Sequence, residues 1–182
     1  MVTPQKNGFL FEDKIYEHLQ LTKLKVYREK EIKQIYGKNI TAIDHLLYND
    51  DILICIQAKW LGGKVSNSQF NHFTSCVNTI VNDSKTSKYK LVLGLYVSNK
   101  GLSSNATPQL DIENIKFNNY KTNIKYYDIY DENEKYLLDK VLYFIHNYKF
   151  YTYDYQDDII IGDYETKNVS YIGDYYNDFE II

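Results

Sequence analysis

Residues 40–59, ITAIDHLLYNDDILICIQAK, decide the fold. Residues 40–48 and 52–59 are two β-prone runs joined by polar Asn49-Asp50-Asp51, a pattern that predicts a β-hairpin. The second run, Ile52-Leu53-Ile54-Cys55-Ile56, is apolar on both faces, as a strand in the middle of a covered sheet must be. With a two-residue turn at Asp50-Asp51, Asp44 falls directly opposite Gln57. Side chains alternate along a strand, so Lys59 shares the face of Gln57, and Asp44, Gln57 and Lys59 converge. A turn one residue longer or shorter would separate them.

Upstream, residues 8–21 (GFLFEDKIYEHLQL) read as a helix whose apolar stripe is Phe11, Ile15 and Leu19. Glu12 sits beside that stripe, held against the body, whereas Glu17 faces water. Residues 23–35 alternate loosely (Leu24, Val26, Ile32) and suggest a strand. Downstream, the Gly62-Gly63 break precedes a second helix. Ser66 or Ser68 caps it, and its stripe is Phe70, Phe73, Val77, Ile80 and Val81. Residues 91–97 read as a buried strand, followed by a polar loop, Ser98-Asn99-Lys100-Gly101-Leu102-Ser103-Ser104-Asn105. A strand over 124–129 leads into a third helix, capped by Asp131, with Leu137, Leu138, Val141, Ile145 and Tyr148 at helical spacing. Helix, strands, helix, strand, strand, helix is the order of an α/β (α+β) fold, a mixed central sheet flanked by helices.

A chain of 182 residues that is 44% hydrophobic and 25% charged holds one domain with a real core. Two cysteines are too few for a disulfide framework and point to a reducing, intracellular setting. No apolar run reaches the ~18 residues of a membrane span, and no apolar secretory segment follows Met1, so no membrane partner is expected. The net charge of -3 conceals a contrast. Residues 1–149 carry 20 basic and 16 acidic residues, net +4, while residues 150–182 carry one and eight, net -7. A basic body with an acidic end suits a nucleic-acid-handling core and a shielding or interaction tail. Within the tail, Ile161-Gly162-Asp163-Tyr164 nearly repeats as Ile172-Gly173-Asp174-Tyr175, which reads as a β-hairpin or an extended strap. Of 21 basic residues one is an arginine, Arg28, so a binding surface here holds phosphates with point charges and reads bases weakly.

The convergent trio has a definite chemistry. A carboxylate and an amide oxygen are hard ligands for Mg²⁺ or Mn²⁺. Such an ion acidifies water and neutralises charge building on a phosphate, and an adjacent lysine stabilises the oxyanion. Glu12 adds an oxygen from the neighbouring helix. His45 points away from Asp44 and His72 stands alone on a helix, so neither suggests zinc. Gly62-Gly63-Lys64 lacks the spacer of a P-loop, and Trp60 reads as a core residue.

Asp44, a hairpin, and then Gln57-Ala58-Lys59 resembles the D…(D/E/Q)xK signature of the PD-(D/E)xK nuclease superfamily. The glutamine variant, together with the opening Gly8-Phe9-Leu10-Phe11-Glu12, is similar to the Mrr-like restriction endonuclease branch. The stretch 94–106 resembles the strand and loop after that branch's second core helix, and Ile43 stands where the name-giving proline would be. The resemblance implies a restriction-endonuclease-like core over 1–149, with 150–182 an acidic extension outside it. It further implies Asp44, Gln57 and the Ala58 carbonyl as metal ligands, Lys59 as the catalytic lysine and Glu12 as the helix-borne acid. Lys64, Ser98, Lys100 and Ser103 are the expected nucleic-acid contacts. The function expected is metal-dependent DNA hydrolysis in restriction, repair or recombination. The alternative is a weakly active or inactive nucleic-acid-binding module on the same fold, since Gln57 replaces an acid. A domain this small needs a homodimer to cut both strands, and the acidic tail is expected to compete with DNA in cis or to bind a partner.

Overall fold

The computed structural model describes residues 4–22, 24–48, 51–86, 88–89, 91–108, 110 and 123–154. The tail readings, and most of the 150–182 segment, lie outside them. Among the described residues the elements run α1 (Pro4–Gln20), β1 (Lys25–Arg28), α2 (Glu29–Tyr36), β2 (His45–Tyr48), β3 (Ile52–Lys59), α3 (Asn67–Val81), a 3₁₀ turn (Ser84–Thr86), β4 (Leu91–Ser98), β5 (Asn123–Tyr130) and α4 (Glu134–Asp154). The strands form one sheet in the order β1-β2-β3-β4-β5. β1, β2 and β3 are antiparallel neighbours, whereas β3, β4 and β5 run parallel. The mixed sheet flanked by helices is therefore present as expected.

Alternation along β3 divides the core. Ile52, Ile54, Ile56 and Ala58 pack with Phe11, Ile15 and Leu19 of α1 and with the Leu137–Val141 turn of α4. Leu53 and Cys55 point the other way, toward Ile32 of α2 and Phe70, Phe73 and Val77 of α3. Helices cover both faces, which explains why the central strand carries almost no polar residues. Cys55 and Cys76 are free buried thiols. Among the described residues no helix is long and apolar enough to cross a membrane.

Two sequence readings need correction. The suggested strand over 23–35 ends at Arg28, and Glu29–Tyr36 is helix α2. Its start is set by Glu31, whose Oε2 accepts from the Arg28 backbone N–H at 3.0 Å, and Ile32 is fully buried from it. Asp131 does not cap the last helix. Asn133 does, its Oδ1 accepting from the N–H of Lys135 (3.0 Å) and Tyr136 (3.5 Å), while Asp131 accepts from Asn133 N one step earlier. Ser66, not Ser68, caps α3: its Oγ accepts from Gln69 N, and the Gln69 side chain accepts from Ser66 N.

Gly94 sets the spacing between β4 and α3. Its register partner Tyr126 lays its ring across the glycine, and a Cβ at 94 would meet Tyr126 Cδ1 at 2.4 Å and Phe73 Cε1 at 3.4 Å. The same ring packs edge-on against Phe73 and Phe70, so it has no free direction to move. Gly94→Ala should therefore lower stability by about 1–3 kcal/mol, although strand propensity alone slightly favours alanine. A urea midpoint equal to wild type would show that Tyr126 yields freely.

Candidate active site

β2 and β3 pair with His45 opposite Ile56 and Tyr48 opposite Leu53, the register that a two-residue turn requires. One step before β2, the Asp44 N–H donates at 2.9 Å to the carbonyl of Ile56, the register partner of His45, which holds Asp44 against the end of β3. Asp44 Oδ2 then accepts from the Ala58 backbone N–H at 2.8 Å and from Gln57 Nε2. Lys59, the last residue of β3, places Nζ 3.7 Å from Asp44 Oδ2 and 3.4 Å from Glu12 Oε1 on α1. All four residues named from the sequence thus meet at the C-terminal end of β3.

Burial grades across the group. Asp44 and Gln57 are 7% and 2% exposed, while the Lys59 and Glu12 side chains are 35% and 25% exposed. The site is closed at its floor and open at its mouth. Burial pushes the Asp44 carboxyl up to about 7; Lys59 and the Ala58 N–H pull it down, and Glu12 pushes it further up. With both acids ionised, one ammonium leaves the group net negative at its buried end.

The donors suit a hard divalent cation. Asp44 and Glu12 bring carboxylate oxygens and Gln57 an amide oxygen. Ile56 and Ala58 both direct backbone groups toward Asp44, so the Ala58 carbonyl lies on the same edge. Among the described residues no three His, Cys, Asp or Glu side chains gather, so an ion here would have two carboxylates and neutral oxygens to bind. The Lys59 ammonium lies between the two carboxylates and has to swing outward for an ion to enter.

His45 is the residue that sequence reasoning passed over. It faces away from Asp44, as alternation requires, and its Nε2–H donates to the Glu12 carbonyl at 3.2 Å. Tyr16 stacks on its ring (6.0 Å, 29°), and Arg28 lies 4.7 Å over Tyr16 while pairing with Asp13. Burial foremost, then the Arg28 charge, pushes His45 down to about 4, so it is neutral near pH 7. The one arginine of the chain thus helps to fasten α1, and with it Glu12, to the strand that follows Asp44. That role is foreshadowed only by the adjacency of His45 to Asp44.

A second unforeseen feature is a polar row across the sheet. Gln57 pairs with Tyr96 and Tyr96 with Asp128, so all three project from one face. Asp128 Oδ2 accepts from Leu102 N at 2.8 Å, and its buried Oδ1 has no partner among the described residues. Burial pushes its carboxyl up to about 6, against the pull of the Leu102 N–H and Lys64. The row extends the polar floor of the cleft beyond the expected trio.

The loop beyond β4 is firmly held. Asn99 brackets Leu61, accepting from its N–H at 2.6 Å and donating to its carbonyl at 2.9 Å. Val65 and Leu102 pair as an isolated parallel bridge. Gly101 turns the loop at φ 66°, where a Cβ would meet Tyr130 at 2.9 Å. Of the four expected nucleic-acid contacts, Lys64 is exposed and Ser103 half-buried. Lys100 carries a counter-ion, Glu132 at 2.8 Å. Ser98 is corrected: it is fully buried, its hydroxyl accepting from Gly101 N, so it shapes the loop rather than its surface. Trp60 packs half-buried against Phe11 (5.2 Å) at the edge of the core, and His72 shares a hydrogen bond with Thr41 Oγ1 at 2.8 Å.

No protein-family model and no curated protein matches the chain. Among solved structures it is similar to the crystal structure of a protein of unknown function, AF1548, at a TM-score of 0.39 and 10% identity. That likeness covers 64% of this chain and 56% of the other, so the chain spans little more than half the length of that protein. Similarity at this level carries no argument about chemistry.

Proposed function

We propose that the chain is a Mg²⁺- or Mn²⁺-dependent endodeoxyribonuclease built on a restriction-endonuclease-like core. The observation that supports this reading is the meeting of Asp44, Gln57, Ala58, Lys59 and Glu12, drawn from three elements, at one half-open end of the sheet. Asp44, Glu12, the Gln57 amide oxygen and the Ala58 carbonyl would hold the ion. When bound, it supplies charge neutralisation for the transition-state phosphate and a more acidic water.

Asp44 anchors the site, because two N–H donors from β3 aim its carboxylate. His45 sets the height of Glu12 through the Glu12 carbonyl. Lys59 is restrained by both acids in the resting state. With those acids engaged by an ion, the Lys59 ammonium would be free to donate to a non-bridging phosphate oxygen or to orient the attacking water. The half-exposed mouth admits a phosphodiester from the side of Lys59 while the floor stays dry.

A second reading, a binding module without cleavage, draws on a specific observation. Gln57 contributes no charge, and the Lys59 ammonium already pairs with both carboxylates. Supercoiled plasmid incubated with Mg²⁺ or Mn²⁺ separates the two. Divalent-ion-dependent nicking supports the nuclease; salt-dependent DNA binding with no cut under either ion supports the module. Absence of binding at low salt sinks both.

A further inference from the structure

At the opposite end of β3 from Lys59, about 23 Å away along the strand, the surface has a different character. Tyr27 and Tyr48 stack at 5.6 Å and 21°, their hydroxyls hydrogen-bonded at 3.0 Å, and Tyr89 tilts against Tyr48 at 6.0 Å. Lys25 rests its ammonium 4.8 Å over Tyr27, and Lys88 lies over both Tyr89 (4.8 Å) and Tyr48 (5.5 Å). Lys85 lies 5.7 Å over Tyr36 close by. A chain of this length shows about two such contacts in all. Here they crowd one corner, and elsewhere among the described residues only Arg28 over Tyr16 is similar.

Lys14, Lys33, Lys59, Lys100 and Lys140 each face a carboxylate, and Lys85 has Asp83 at 3.8 Å and donates to the Ile35 carbonyl. Lys25 and Lys88, like Lys30, Lys38, Lys64 and Lys135, are exposed and make no ion pair among the described residues. What sets Lys25 and Lys88 apart is that, with no counter-ion among the described residues, they are laid on tyrosine rings, half-buried Tyr27 and Tyr48 and buried Tyr89, held by stacking and by a hydroxyl pair. Lysine stems are flexible, so a flat group that takes the ring face displaces the ammonium sideways without breaking a salt bridge. The fitting ligand is anionic at short intervals and aromatic between them.

We propose that the Lys25–Tyr27–Tyr48–Lys88–Tyr89 corner is a binding site for single-stranded nucleic acid, distinct from the Asp44–Lys59 cleft. Bases stack on the Tyr27 and Tyr48 rings, and the two lysines move to flanking phosphates. Such base–aromatic stacking tolerates any base, in keeping with a surface that lacks arginine forks.

The test is fluorescence anisotropy of a labelled oligothymidylate with the full chain in EDTA, so that neither cleavage nor metal enters and a protein that never cuts DNA is equally informative. Lys25→Gln/Lys88→Gln is expected to weaken binding tenfold or more. It should also reduce the slope of log affinity against log salt by about 1.4, two single-strand phosphate contacts. Both positions are exposed, so folding is not at stake. Wild type is expected to prefer oligothymidylate severalfold over an abasic strand, over duplex and over polyglutamate. Affinity of the double variant within twofold of wild type overturns the proposal. Equal binding of the abasic strand, duplex or polyglutamate does so as well, because the corner would then be a plain cation patch.

Discussion

Lys59→Ala and Asp44→Ala are each expected to reduce divalent-ion-dependent plasmid nicking by about a hundred- to a thousandfold, with far-UV circular dichroism unchanged. For Lys59 the size follows from removing one preorganised cation that acts on the transition-state phosphate, typically a loss of ~10²–10³. For Asp44 it follows from removing the only carboxylate that two β3 donors hold in place, without which Glu12 is the sole remaining acid. Because the residues act on one phosphate, the double variant should be little worse than the more damaged single variant. Glu12→Gln should fall between wild type and these, since Glu12 is a quarter exposed and water can replace one of its oxygens. Full activity in both alanine variants would falsify the nuclease reading. Loss in Lys59→Ala alone would point to phosphate binding without a metal.

In EDTA the same carboxylate should be a liability, and Asp44→Asn should make the protein more stable at pH 8. The folded protein raises Asp44 from 3.8 to about 7, chiefly by burial, so between these values the native state binds the proton that the unfolded chain has lost. Stability from this group is fully present below pH 3.8 and is lost as pH rises through about 7. Asparagine carries no charge and still accepts from Ala58 N, so its advantage is near zero at pH 4 and full above pH 7. A shift of this size sets a ceiling on the order of 4 kcal/mol; about 1–3 is expected after relaxation of the amide pair with Gln57. His45 titrates in the opposite sense, pushed down to about 4, but it is common to both proteins and cancels in the difference. Thermal melts of the two proteins from pH 4 to 8 measure this directly. A pH-independent difference, or one that shrinks as pH rises, would contradict the assignment. Adding Mg²⁺ at pH 8 should then stabilise wild type and leave Asp44→Asn almost unmoved.

The two expectations share a cause. A carboxyl made costly by burial becomes favourable when a cation arrives, which is how a binding site differs from a packed polar core. The Gly94–Tyr126 contact shows the other case, where tight packing has no chemical use and substitution costs only stability.

Residue patterns made the hairpin legible because everything that sets it is local. Two apolar runs, one short polar turn and the two-residue period of a strand suffice to bring Asp44, Gln57 and Lys59 together. Helix α2 was missed: Ile32, Ile35 and Tyr36 repeat at helical spacing, with Glu31 placed to bond Arg28 N, but the loose alternation of Leu24, Val26 and Ile32 reads as a strand. Ser98 misled because a polar residue at a strand end reads as surface, whereas its hydroxyl is spent inside the turn at Gly101.

By itself, then, the sequence determined the elements other than helix α2, the hairpin register and the identity of the convergent trio, since each depends on spacing along a few residues. Only the tertiary structure decided that Glu12 reaches Lys59, that His45 ties its helix to Asp44, that Asp128 joins the row through Tyr96, and that Lys25 and Lys88 share one tyrosine corner. Those meetings join segments tens of residues apart through parallel pairing and helix packing. The chain's local pattern carries no record of the register between elements that touch only after the core has closed.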